Sequence, residues 1–138
     1  MKPGSVRRES PKLRIRVDLS ADCSIGPGKV TLLEAIEREG SLSVAARSID
    51  MSYRRAWNLL DDLNQSFAEA VVSTSTGGQQ GGGARLTDFG RELAKAFRAL
   101  ERAALPLART HMRKFPTARK RSTGAVRKPL ANRRRTAR

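Results

Sequence analysis

The stretch from Ser41 to Asn64 constrains the fold more than any other part of the chain, because it reads as two short helices joined by a tight corner. In its first half Leu42, Ala45, Ala46 and Ile49 recur at helical spacing, and Ser43 is placed to cap the exposed N–H groups. Asp50 and Met51 make the corner, where Asp tolerates left-handed backbone less easily than Gly would. Ser52 then caps a second helix. Its apolar stripe is Tyr53, Ala56, Trp57, Leu60, Leu63 and Phe67, whereas Arg54, Arg55, Asn58, Asp61, Asp62 and Gln65 fall elsewhere. The cations occupy the first turns and the anions the later ones. That polarity suits a helix-turn-helix whose second helix enters a DNA groove by its N-terminus, so that dipole, backbone N–H groups and arginines face phosphate. Taken alone, the segment also fits an ordinary amphipathic helix with a solvated charged face.

The 138 residues suffice for one domain of ordinary size, and their charge is lopsided. Residues 1–105 carry 16 Lys and Arg against 13 Asp and Glu, whereas residues 106–138 carry 12 against none. A nearly neutral domain with a basic tail favours a polyanionic partner, which could be DNA, RNA or an anionic membrane surface. No apolar run approaches the roughly 18 residues of a membrane span, and the N-terminus lacks a signal-peptide core. A soluble, cytoplasmic protein is therefore expected. Cys23 is the only cysteine and His111 the only histidine. Neither an intrachain disulfide nor a thiolate metal cluster can form, and no nucleophile, acid and base pair or metal-ligand set lies at useful spacing. No catalysis, metal or cofactor is expected; Cys23 reads as a small core or surface residue and His111 as a solvated tail residue.

Around the paired helices the remaining segments fall into place. Residues 1–12 lack periodicity and read as a disordered arm. From Leu13 to Leu19 apolar and charged residues alternate strictly, which predicts a half-buried strand in need of a sheet partner further along. Ser20 to Gly28 reads as a loop, and Lys29 to Glu39 as a helix with Val30, Leu32, Leu33 and Ile36 inward and Gly40 closing it. Two short strands, Ala70 to Thr74 and Ala84 to Leu86, flank the glycine-rich run from Gly77 to Gly83. Beside a helix-turn-helix such a hairpin is a wing. The glycine run lacks the Gly-Lys-Ser/Thr ending of a phosphate-cradling loop, but as a wing tip its N–H groups, Gln79 and Gln80 can reach a DNA backbone or minor groove. A tip that touches nothing is the alternative.

Thr87 is placed to cap a last helix running from Asp88 to Pro106, with Phe89, Leu93, Ala96, Phe97, Leu100 and Ala104 as its stripe. At about 18 residues, about 27 Å, it outruns the domain beneath it. Part of that stripe is expected to meet a second copy, the alternative being packing wholly within its own domain. Residues 106–138 read as a disordered basic tail suited to non-specific phosphate binding.

Taken together, these motifs resemble the N-terminal DNA-binding domain of the ModE-type molybdenum-responsive transcriptional regulators, within the LysR-like winged helix-turn-helix proteins. The matching residues are Gly40 to Arg47, Met51 to Trp57, Thr76 to Gly78, and Gly83 to Thr87 with Phe89 and Gly90; coverage runs from about Leu13 to Leu105. The resemblance implies a mainly α fold with a small β-sheet, a winged helix-turn-helix over 13–105 with a long C-terminal dimerisation helix. By position it implies DNA contacts from Ser52, Tyr53, Arg54, Arg55 and Asn58, wing contacts from Thr74, Thr76, Gln79, Gln80 and Arg85, and dimerisation through Phe89, Leu93, Phe97 and Leu100. Tyr53 and Trp57 fit the core as well, and for Trp57 the core is the stronger reading. Three departures stand out. Asp50 replaces the usual Gly, Gln79 and Gln80 replace a basic wing residue, and the chain ends in a basic tail where full-length members continue into a molybdate-binding domain. No oxyanion pocket is legible, so molybdate binding is not expected. The expected protein is a homodimeric, sequence-specific regulator on double-stranded DNA; the alternative is an architectural protein coating DNA through its tail.

Overall fold

The computed structural model describes residues 10–75 and 82–118. Along the chain lie β1 (Val17–Ser20), β2 (Cys23–Ile25), α1 (Pro27–Glu39), α2 (Leu42–Ser48), α3 (Tyr53–Ser66), β3 (Val72–Ser75), β4 (Gly83–Leu86) and α4 (Asp88–Met112). This is the mainly α winged-helix arrangement, with two small antiparallel hairpins, β1 with β2 and β3 with β4.

The core is built around α1. Val30, Leu32, Leu33, Ala35 and Ile36 are wholly buried, so α1 is enclosed on more than one side. Against it pack Leu42, Ala45 and Ala46 of α2, Ala56, Leu60 and Leu63 of α3, Ala84 and Leu86 of β4, and Ala94 and Phe97 of α4. The helix starts at Pro27, two residues ahead of the expected Lys29, because proline lacks an N–H that the first turn would orphan and already holds a helical φ. Gly40 ends it at φ 70°, its N–H donating to the Ile36 carbonyl at 2.8 Å.

The expected strand over Leu13 to Leu19 is only partly a ladder. Leu13, Ile15 and Val17 are half-buried and Arg14, Arg16 and Asp18 exposed, as the alternation demands, but pairing begins at Val17. Its partner is β2, inside the segment read as a loop: three residues ending in Cys23 and Ile25, both buried, are too few to show a period. A register shift between Asp18 and Ser20 leaves Leu19 over as a bulge, and Leu19 is accordingly exposed.

Ser41, not Ser43, caps α2. With Gly40 in the left-handed region, Ser41 is the first extended residue, and its Oγ accepts from the Val44 N–H at 3.4 Å; Ser43 already lies within the helix. At the corner Asp50 takes φ 53°, the left-handed conformation expected there. The next N–H, that of Met51, donates back to the Ala46 carbonyl at 2.9 Å while its side chain packs on the core.

Pro106 does not stop α4, which runs on to Met112, about 37 Å in all. Proline removes the hydrogen bond to the Arg102 carbonyl; Arg102 and Pro106 are both exposed, so water can serve that carbonyl in its place. The segment from Pro106 to Met112, including His111, is therefore helix rather than tail; residues 1–9 and 119–138 lie outside the described residues. Arg98 fastens α4 to α1, donating to Glu34 at 2.5 Å and Thr31 at 3.2 Å across the interface and to Glu101 at 2.7 Å. The bonds to Glu34 and then to Glu101 raise its pKa still further above the usual guanidinium value. Arg91 repeats the arrangement with Glu37 and Asp88, each at 2.9 Å.

Candidate nucleic-acid interface

Ser52 starts α3, its Oγ accepting from the Arg55 N–H at 3.2 Å. The first two turns then present Tyr53, Arg54, Arg55, Trp57 and Asn58 to solvent, with no acidic residue in the first turn. The inward side is Ala56, Leu60 and Leu63, joined by half-buried Leu59. At 100° per residue those four centre on a direction roughly 70° from Tyr53 and 110° from Trp57, so the apolar stripe drawn from the sequence is rotated. Tyr53 is 57% and Trp57 50% exposed, so neither is a core residue. For Trp57 this overturns the reading favoured from the sequence: at about 100° from Ala56 and about 60° from Leu60 it lies on their flank.

The anions of α3 stay away from this end. Asp62 is engaged by Lys29 of α1, whose ammonium also donates to the Ser24 carbonyl at 2.8 Å, and Asp61 accepts from Gln65 at 2.9 Å. Asn64 is the residue that sequence reasoning missed. Its Oδ1 accepts from the N–H groups of Val71 and Val72 at 2.9 and 3.1 Å, and its Nδ2 donates to the Val72 carbonyl at 3.0 Å. The only signal for it is an Asn at a helix end just ahead of a β-branched run.

The wing pairs Val72 with Leu86, Ser73 with Arg85, Thr74 with Ala84 and Ser75 with Gly83. A further bond from the Ala84 N–H to the Gly40 carbonyl, 3.0 Å, seats β4 on the end of α1. Because cross-strand partners share a face and neighbours alternate, Thr74 and Arg85 lie on opposite faces of the hairpin, although both are exposed. A DNA strand following one face meets only one of them. Thr76, Gln79 and Gln80 lie outside the described residues.

The expected dimer residues divide in two. Phe97 is 3% exposed and belongs to its own protomer's core. Phe89 and Leu93 are half-buried against that core, Phe89 meeting Phe67 edge-on at 5.7 Å between ring centroids. Leu100 is open, as are Leu107, Met112 and Phe115 further on. Among the described residues no cluster of His, Cys, Asp and Glu could hold a metal ion, and no helix is long and apolar enough to cross a membrane.

No family model matches the chain. Against curated proteins, 88 residues, 64% of the chain, are 42% identical to the molybdenum transport protein ModE of Azotobacter vinelandii, covering 33% of that protein. The DNA-binding transcriptional dual regulator ModE of Escherichia coli K12 matches at 35% identity over 85 residues, 62% of the chain and 31% of the relative. The domain is homologous to part of the ModE-type transcriptional regulators. The molybdenum-pterin-binding protein MopB of Rhodobacter capsulatus shares it too, at 44% identity over 77 residues, 56% of the chain and 28% of that protein. The chain thus spans about a third of the length of the curated relatives it matches. The matched region is consistent with a ModE-type N-terminal DNA-binding domain.

Proposed function

We propose that this domain is a sequence-specific DNA-binding module of a transcriptional regulator, working as a homodimer. The observation that carries the reading is the exposed, acid-free start of α3, where Arg54, Arg55 and Asn58 stand beside a wing on a domain homologous to ModE regulators. In this reading the start of α3 enters the major groove, Arg54 and Arg55 addressing guanine and Asn58 adenine, while Ser52 fixes the helix end. On the wing, Arg85 is the cation available to phosphate, with Thr74, Thr76, Gln79 and Gln80 as further wing candidates.

The dimer reading gains support from α4. Phe89, Leu93, Ala96, Leu100, Ala103 and Leu107 follow one another at steps of four and three, the heptad spacing of a coiled-coil seam. Its first two residues lie half-covered by their own domain, whereas Ala96, Leu100, Ala103 and Leu107 are exposed. The dimer contact proposed here therefore uses Leu100 and Leu107 with the intervening Ala103, and Phe97 drops out of it. Two such domains address half-sites about 34 Å apart.

Selection of bound duplexes from a random pool by the full chain tests the proposal: an inverted repeat is expected, and the absence of any shared motif would instead mark an architectural DNA coat. Arg55→Ala is expected to lower affinity for the selected duplex by about 1 to 3 kcal/mol and to relax preference at one base pair per half-site, read by competition binding. Deleting residues 119–138 removes nine Lys and Arg and no acid. Affinity for selected and random duplexes should fall together and the salt slope should flatten. Loss of discrimination between the two would show that the tail, not α3, carries specificity.

A further inference from the structure

We infer that Tyr53 and Trp57 form an apolar ridge that reads thymine, their rings packing against C5-methyl groups in the major groove on the wing side of α3. The inference rests on the DNA-binding reading above and deepens it. Two large aromatics one turn apart stand 57% and 50% exposed on the first two turns of a helix whose core face is complete without them. Large aromatics left half in water are characteristic of interface anchors rather than of idle surface.

Their direction follows from helix geometry. At 100° per residue Tyr53, Asn64 and Trp57 fall within an arc of about 40°. Asn64 is bonded to the backbone of Val71 and Val72, where the wing begins. The ridge therefore runs along the flank of α3 that faces the wing's root, beside the arc holding Arg54 and Asn58.

Charge selects the occupant. Arg54 borders the ridge, no acid lies in the first turn, and Asp61 and Asp62 are bonded within the domain. A second copy seated symmetrically on this face would set its own Arg54 against this one, like charge on like. A polyanion meets no such repulsion. Among base edges in the major groove, thymine alone offers a methyl group, which suits an apolar contact and none of the hydrogen-bonding side chains nearby.

Single thymine-to-uracil replacements in a duplex selected from a random pool by the full chain remove one methyl at a time. At one or two thymines in each half-site, the change is expected to weaken wild-type binding roughly fourfold, the value of one buried methyl group. At one of these thymines at least, the same replacement should leave Trp57→Ala unaffected and still weaken Trp57→Phe. Should Trp57→Ala melt well below wild type, Trp57→Gln replaces it in the comparison. Uracil tolerated at every position by wild type, or an equal loss in wild type and Trp57→Ala at every sensitive thymine, overturns the inference while leaving the DNA reading in place. A pool that returns no motif removes the DNA reading itself.

Discussion

Replacing Leu100 and Leu107 together with glutamate is expected to turn the protein into a folded monomer and to weaken binding to a two-half-site duplex at least a hundredfold. Leu100 and Leu107 are 42% and 62% exposed, so neither anchors the core of its own domain. In a seam between two copies, by contrast, each glutamate would be withdrawn from water opposite its symmetry mate, and a charge buried without a partner is strongly destabilising. The binding loss follows from linkage. Once one domain is bound, its tethered partner meets the second half-site at high effective concentration, a gain of about 10²–10⁴ that a monomer forfeits. Sedimentation equilibrium gives the mass and titration of one-site and two-site duplexes gives the coupling. A variant that remains dimeric would rule out this seam; a monomer that still binds two-site duplex as tightly as wild type would show that dimerisation does not contribute to recognition.

The second large effect is a folding one. Gly90→Ala should lower the melting temperature by more than about 10 °C, or prevent folding. A Cβ on Gly90 would stand 2.1 Å from the Val71 carbonyl oxygen and 3.0 Å from its carbon. Both are backbone atoms of a segment held by Asn64 and by the Thr87 N–H, which donates to the Val71 carbonyl at 3.0 Å. Neither of these two atoms can yield by a rotamer change. The helical preference of Ala over Gly, up to about 1 kcal/mol, works the other way. Overpacking costs about 1 to 3 kcal/mol or more, and prising α4 off Val71 also loses hydrogen bonds of about 1 kcal/mol each. The clash wins. At roughly 4–8 °C per kcal/mol for a domain of this size, the net change is large. Gly28→Ala is the control of opposite sign: α1 has open space at that position, so the same substitution should be neutral or stabilising by up to about 1 kcal/mol. Thermal unfolding followed by circular dichroism compares the two, and a Gly90→Ala variant as stable as Gly28→Ala would refute the close approach.

Much of the fold is legible wherever the signal is local and repeated. The span from Leu42 to Ser66 shows its two helices, its Ser52 cap and its left-handed Asp50 because periodicity and turn chemistry agree there. What escapes depends on contacts distant in sequence or on lengths too short to show a period. Residues Cys23 to Ile25 are a strand because Val17 to Ser20 lies alongside. Pro106 sits within α4 because water can replace what it removes, a matter of exposure that spacing does not encode. The misplacement of Trp57 has a simpler cause. A residue at the edge of an apolar stripe satisfies helical spacing in either direction, and only the placement of the elements packed on α3, α2 and α1 among them, decides that Leu59 turns inward and Trp57 outward. Ser43 fails as a cap for a related reason, since Gly40 fixes where the next helix begins.

The amide of Asn64 has a mechanical consequence. By accepting from two successive N–H groups and donating to a third group at the start of β3, it makes the wing and α3 the two jaws of one caliper. The wing cannot swing about its root without breaking three bonds at once. For the proposed DNA partner the opening between the jaws is then set before contact, and the duplex must conform to it. Sequences whose groove dimensions already match that gauge bind with less distortion, so selection extends to base pairs that no side chain touches.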